Sequence, residues 1–211
     1  MNWKAMVFLG AYHGVNPGMG WLFAVALGMQ RGSARGVWGA LPPMALGHAA
    51  AVGVVLLTVA LAEVVIPTGT LRVLVASMLT MLGLYRLWRH RHPRFGGLQV
   101  GFRDLTVWSF LMASAHGAGF MVVPFATSAP PMLSAAGHEH AHHVAAAGAN
   151  VAATGMMAIA VHTLAYFVVM TMIAWVVYRR LGLSLLRKAW LNMDWVWAGA
   201  LVLTGLVVLL K

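Results

Sequence analysis

Six apolar stretches of roughly membrane-spanning length occupy almost the whole chain, at about residues 5 to 29, 42 to 66, 70 to 88, 105 to 127, 147 to 178 and 193 to 210. A backbone in hydrocarbon must satisfy its own N–H and C=O groups, and segments of this length do so as α-helices. The pattern predicts an all-α, polytopic membrane protein with six transmembrane helices and almost nothing left for a soluble domain. Composition agrees, because 61% hydrophobic residues, 9% charged residues and a mean hydropathy of +0.82 lie far from a soluble globular domain.

The formal net charge of +10 fits Lys and Arg gathered in cytoplasmic loops better than a nucleic-acid footprint, so the expected partner is the lipid bilayer and not a nucleic acid. The connections after the first, third and fifth stretches hold Arg31 and Arg35, then Arg86, Arg89, Arg91, Arg94 and Arg103, then Arg179, Arg180, Arg187 and Lys188. The opposite side holds only Lys4, Arg72 and Lys211. The positive-inside rule therefore places both termini outside the inner membrane, on its periplasmic face. The first stretch has a counterpart later in the chain, which disfavours reading it as a cleaved leader.

That counterpart shows in two phrases, Phe8-Leu9-Gly10-Ala11-Tyr12-His13-Gly14 and Phe110-Leu111-Met112-Ala113-Ser114-Ala115-His116-Gly117. The next helix of each half carries a histidine too, His48 and His162. Three segments per half is an odd number, so similar halves must enter the membrane in opposite directions. The expectation is two inverted three-helix repeats, 1–97 and 98–211, forming one integral membrane domain. The third and sixth stretches carry no ionisable residue in their apolar middle and read as scaffold. Gly10, Gly14 and Gly18 allow close helix approach, a common feature in lipid.

An imidazole in hydrocarbon is costly unless paired or functional. His13 opens His13-Gly14-Val15-Asn16-Pro17-Gly18-Met19-Gly20, where proline removes a donor and deprives the His13 carbonyl of its helical partner. The first helix should break here, and the fourth likewise around His116-Gly117 and Pro124. Broken helices at membrane depth line transporter sites. The expected pathway is His13, Asn16, Pro17, His48, His116 and His162, with His13 and Asn16 as main ligands and His116 assisting. Pro42-Pro43 are expected to start the second helix about two turns before His48. A His-lined, acid-poor site suits late first-row metals, with the transition-metal ion as substrate and no cofactor. Cysteine is absent, which removes disulfides and thiolate ligands; methionines such as Met19 and Met121 are read mainly as packing.

The loop residues His138, Glu139, His140, His142 and His143 form a compositional metal signal on the outer face and are expected to capture ions. His90 and His92 lie among cytoplasmic arginines and read as topology residues. Glu63 reads as an interfacial cap, and Asp104 and Asp194 as acids suited to helix starts. No phosphate-binding loop or serine triad is present. A histidine-box oxygenase would need its boxes on one membrane face, whereas His90 and His92 lie opposite the outer cluster. The chain is not expected to be an enzyme.

Taken together, the first-helix phrase, the glycine-histidine of the second helix and the His-rich loop resemble the LysE-type superfamily of six-helix inverted-repeat transporters. The closest motifs are those of its nickel/cobalt (NicO-like) branches. Those branches carry His-Ala-x-x-Pro-(Asp or Gly)-His; here His13, Pro17 and Gly18 match, His48 matches the histidine of the next helix, and Met19 stands where a second histidine would be. The resemblance implies a secondary transporter of a divalent, nickel- or cobalt-like cation. The alternative it implies is a LysE-like exporter of a small organic solute such as an amino acid. Related thiol-disulfide carriers do not fit a chain without cysteine. A homo-oligomer is compatible with either reading.

Overall fold

The computed structural model describes residues 2–62, 66–88, 101–126, 141–181 and 193–210, and among these the regular structure is entirely helical, with no strand. The helices are α1 (Trp3–Val15), a 3-10 turn (Pro17–Met19), α2 (Trp21–Gln30), α3 (Ala34–Ala62), α4 (Thr68–Trp88), α5 (Phe102–Ala115), α6 (Ala118–Ala126), α7 (Ala141–Val176) with a π turn (Val177–Leu181), and α8 (Met193–Leu209). Among the described residues two stretches are long and apolar enough to cross a membrane, α3 and Ala153–Arg180, which takes in most of α7 and its π turn. The α5–α6 pair, bent by 59° at its break, makes a third if taken as one span.

The surface is apolar where a soluble protein would be polar. Phe8, Leu57, Leu61, Met81 and Leu203 stand largely exposed, whereas the buried polar side chains among the described residues are His13, Asn16, His48, Ser109, His116 and His162. Apolar groups outward and imidazoles inward suit a protein whose solvent is lipid.

Local chemistry sets the ends and breaks. Asn2 caps α1 by accepting the Ala5 N–H at 3.2 Å. Pro17 has no N–H, and the chain leaves α-geometry at Asn16, whose carboxamide oxygen accepts the Gly18 N–H at 2.9 Å and starts the 3-10 turn. Gly20, at φ +142°, turns the chain into α2. In the other half, α5 stops at His116 and Gly117 adopts φ +69°, the left-handed residue that commonly ends a helix. Asp104 lies in the first turn of α5, and its carboxylate accepts the Gly101 N–H at 3.0 Å.

The second helix does not start at Pro42-Pro43. It starts at Ala34, with both prolines inside it. Ser33 is the reason: its hydroxyl accepts the Arg35 N–H at 3.2 Å and its carbonyl the Gly36 N–H at 2.9 Å, so the cap lies more than two turns before the prolines.

The main helix pairs are α1 with α7, α3 with α5, and α4 with α8. Small residues set the approach in each. A Cβ on Gly10 would stand 2.2 Å from the His162 carbonyl oxygen, and one on Gly14 would stand 2.7 Å from that of Tyr166. Gly47 approaches the Thr106 carbonyl of α5 as closely, 2.2 Å by the same measure. Between α4 and α8 the contact is reciprocal. Gly83 faces Ala198 and Val202, and Gly205 faces Ala76 and Thr80.

Candidate functional site

The α1–α7 and α3–α7 contacts bring three histidines from three helices together. The ring centroids of His13, His48 and His162 form a nearly equilateral triangle, with separations of 5.3 Å (His13–His48), 5.1 Å (His13–His162) and 5.4 Å (His48–His162). All three side chains are fully buried. His13 comes from the end of α1 before the Pro17 break, His48 from α3 and His162 from α7, so the cluster draws on both halves of the sequence.

Hydrogen bonding fixes the tautomers, because a carbonyl oxygen only accepts. His13 Nδ1 lies 2.6 Å from the Leu9 carbonyl, and His162 Nδ1 lies 3.3 Å from the Met6 carbonyl. Each Nδ1 therefore carries the proton and, in a neutral ring, Nε2 carries the lone pair. His48 Nε2 lies 3.2 Å from His162 Nε2. With His162 as acceptor, His48 Nε2–H is the donor, and the His48 lone pair falls on Nδ1, which has no hydrogen-bond partner among the described residues.

His116 repeats the His13 arrangement in the other half. Its Nδ1 lies 2.7 Å from the Met112 carbonyl, four residues back, as His13 Nδ1 does from Leu9. The ring faces the break in the first half: a Cβ on Gly18 would lie 3.8 Å from both His116 Cε1 and Nε2. Donation of Nδ1–H to a backbone carbonyl is how proteins orient imidazoles that present Nε2 to a metal.

Of the expected pathway residues, the rings of His13, His48 and His162 meet, and His116 lies beside Gly18 of the 3-10 turn. The Asn16 oxygen serves the 3-10 turn, and the His13 carbonyl that Pro17 deprives of its helical partner accepts the Asn16 N–H at 3.2 Å. Pro17 itself opens the 3-10 turn. Of the outer-loop residues, His138, Glu139 and His140 lie outside the described residues, and His142 and His143 lie in the first turn of α7. Glu63, His90 and His92 also lie outside them.

Tyr166 was not singled out by the sequence, yet it ties the cluster to the break. Its ring stacks on His48 at 4.0 Å and 13°, and its hydroxyl donates to the Met19 carbonyl in the 3-10 turn. Helical spacing carried the signal, since Tyr166 follows His162 by one turn on the same face. Ser109 Oγ donates to the Met44 carbonyl at 2.7 Å and joins α5 to α3.

Among the described residues, no group of three or more His, Cys, Asp or Glu side chains is arranged to hold a metal ion. The donors are present, but His48 and His162 are bonded to each other. Comparison with protein-family models, curated proteins and solved structures finds no match to this chain.

Proposed function

We propose that the protein is a secondary membrane transporter of a divalent transition-metal cation, and that His13, His48 and His162 form its transit point. The observation that carries this reading is the buried triangle of imidazoles, two of them oriented by backbone carbonyls so that in the neutral ring Nε2 bears the lone pair. Imidazole nitrogen suits nickel, cobalt, copper and zinc, and a site with no buried acid among the described residues offers little to calcium or magnesium. The His48–His162 bond keeps the site short of a closed cage, as a transit point requires: an ion must bind well enough to enter and weakly enough to leave.

Six spans in two inverted repeats accompany this reading. Exchanging the halves maps the α1–α7 pair onto α5–α3 and the α4–α8 pair onto itself. One constant shift along the sequence carries Ala76, Thr80 and Gly83 onto Ala198, Val202 and Gly205, the same residues that meet reciprocally. That reciprocity is what antiparallel helices on a twofold axis give, and His13 and His116 share one hydrogen-bond geometry under the same exchange. Rocking of such repeats about a midplane site is the usual form of alternating access.

Uptake of Ni(II), Co(II), Zn(II) and Cu(II) into proteoliposomes tests the proposal, comparing the intact chain, His13→Ala and a variant lacking residues 138–143. The core-site reading expects flux to vanish in His13→Ala and to persist, with weaker affinity, in the loop deletion. Equal flux in all three would favour the organic-solute exporter.

A further inference from the structure

We infer that the pathway continues from the imidazoles into a second station built of thioethers, Met44 and Met170, whose matching ion is a soft monovalent cation of the Cu(I) or Ag(I) kind. This goes beyond the divalent reading of the histidine cluster, because it assigns a different donor set and a different class of ion.

Two helix faces carry the station. Met44 precedes His48 by four residues on α3, and Met170 follows Tyr166 by four and His162 by eight on α7, so each methionine shares a face with a cluster histidine. Met44 and Met170 are both fully buried. Their sulfurs converge at Gly20, the positive-φ residue of the first-helix break. From the point where a Cβ on Gly20 would stand, Met44 Sδ is 2.8 Å away, Met170 Sδ is 2.9 Å and the Tyr166 hydroxyl is 3.2 Å. Two sulfurs from two helices thus close on one residue, where any side chain larger than glycine's hydrogen would clash with both. Tyr166 spans the two layers, with its ring against His48 and its hydroxyl beside the sulfurs.

Plain packing explains this pair less well. A core wanting only apolar volume favours Leu, Ile or Val, whose rotamers are better defined, and uses Met sparingly. Here Met44 and Met170 are among the most completely buried large side chains, alongside His13, His48 and His116. Thioether sulfur is a soft, neutral donor that selects Cu(I) over harder divalent ions. Imidazole binds both classes, so a soft ion has donors at both layers and a borderline divalent ion such as Ni(II) or Co(II) at one.

The test uses the full chain in detergent, with Cu(I) under reducing conditions and Co(II) as separate probes. X-ray absorption at the copper edge should show sulfur in the first shell of the wild-type protein. Met44→Leu/Met170→Leu should remove that sulfur and weaken Cu(I) binding at least about tenfold, the loss that even an outer-shell partner's removal causes. Co(II) affinity should stay within about twofold, and Met156→Leu, at a 71% exposed position, should change neither ion. A nitrogen-only copper shell in the wild type overturns the inference, as does unchanged Cu(I) affinity in a double variant that melts like the wild type. If the double variant does not fold, the single variants Met44→Leu and Met170→Leu decide: each should lower the sulfur count in the copper shell, and an unchanged count in both overturns the inference. Sulfur-bound Cu(I) with no Co(II) binding would uphold the thioether station and remove the divalent reading; bound Co(II) with Cu(I) on nitrogen alone would do the reverse.

Discussion

His48 and His162 face each other through their Nε2 atoms at 3.2 Å, across two helices that belong to different halves of the sequence. The separation serves a hydrogen bond with one shared proton. It is also close to the spacing of two nitrogens bound to one tetrahedral metal at about 2.0–2.1 Å each. Both rings offer nitrogen to one ion when the His48 proton moves from Nε2 to Nδ1, which has no hydrogen-bond partner among the described residues, so a change of tautomer separates the self-paired site from one that can hold an ion.

The pairing has a stability signature. His48→Leu leaves His162 Nε2 without its donor, and an unsatisfied buried group costs about 1–3 kcal/mol. His48→Leu/His162→Leu removes both partners and should recover part of that loss. Thermal unfolding of the two single variants and the double variant should show this non-additive recovery; strict additivity would mean that the two rings do not interact.

Helix approach predicts which glycines tolerate a methyl group. Gly10→Ala would press on the His162 carbonyl, Gly83→Ala on that of Ala198 and Gly205→Ala on that of Ala76. Each should lose about 1–3 kcal/mol through overpacking. Gly83→Ala and Gly205→Ala should lose similar amounts, because their contacts are reciprocal. Gly155→Ala and Gly199→Ala have open space and should be neutral or slightly stabilising. Melting temperatures in one detergent check all five.

Much of the architecture was legible in the sequence. Hydropathy length located the helices, since burying backbone in lipid demands long apolar runs, and Pro17 with Gly20 and Gly117 marked the breaks because proline removes a donor and glycine takes positive φ. Which histidines meet was not legible. His13 joins His48 and His162 because Gly10 and Gly14 let α1 lie directly on α7, a contact between distant parts of the chain that no local spacing encodes. The start of α3 is hard to read from sequence because Pro42-Pro43 are a louder signal than one serine cap at Ser33. Tyr166, Met44 and Met170 were readable only after His48 and His162 had been placed on one side of their helices.

Removing one oxygen tests the tie between the cluster and the break. Tyr166→Phe keeps the ring against His48 but loses the donor to the Met19 carbonyl. The fold should persist with a loss of about 1 kcal/mol, while amide hydrogen exchange across residues 16 to 24 should speed up relative to α7. Unchanged exchange there would show that the hydroxyl does not hold the turn.

The cysteine-free sequence makes topology directly measurable. Single substitutions that leave every Lys and Arg in place suffice. Trp3→Cys and Pro67→Cys should react with an impermeant maleimide from outside the cell, and Gln30→Cys and Phe102→Cys only from the cytoplasmic side. Labelling of Trp3→Cys and Gln30→Cys from the same side would make the first broken segment re-entrant and end the six-span reading.

Co(II) X-ray absorption spectroscopy on the chain lacking residues 138–143, from which the loop histidines are gone, asks whether the buried triangle binds a cation. Co(II) should bind with imidazole scattering in its outer shells, and that signal should be lost in His13→Ala, His48→Ala and His162→Ala each. A folded, loop-deleted protein that binds no Co(II), or binds it equally well without any of the three histidines, would contradict cation binding by the triangle.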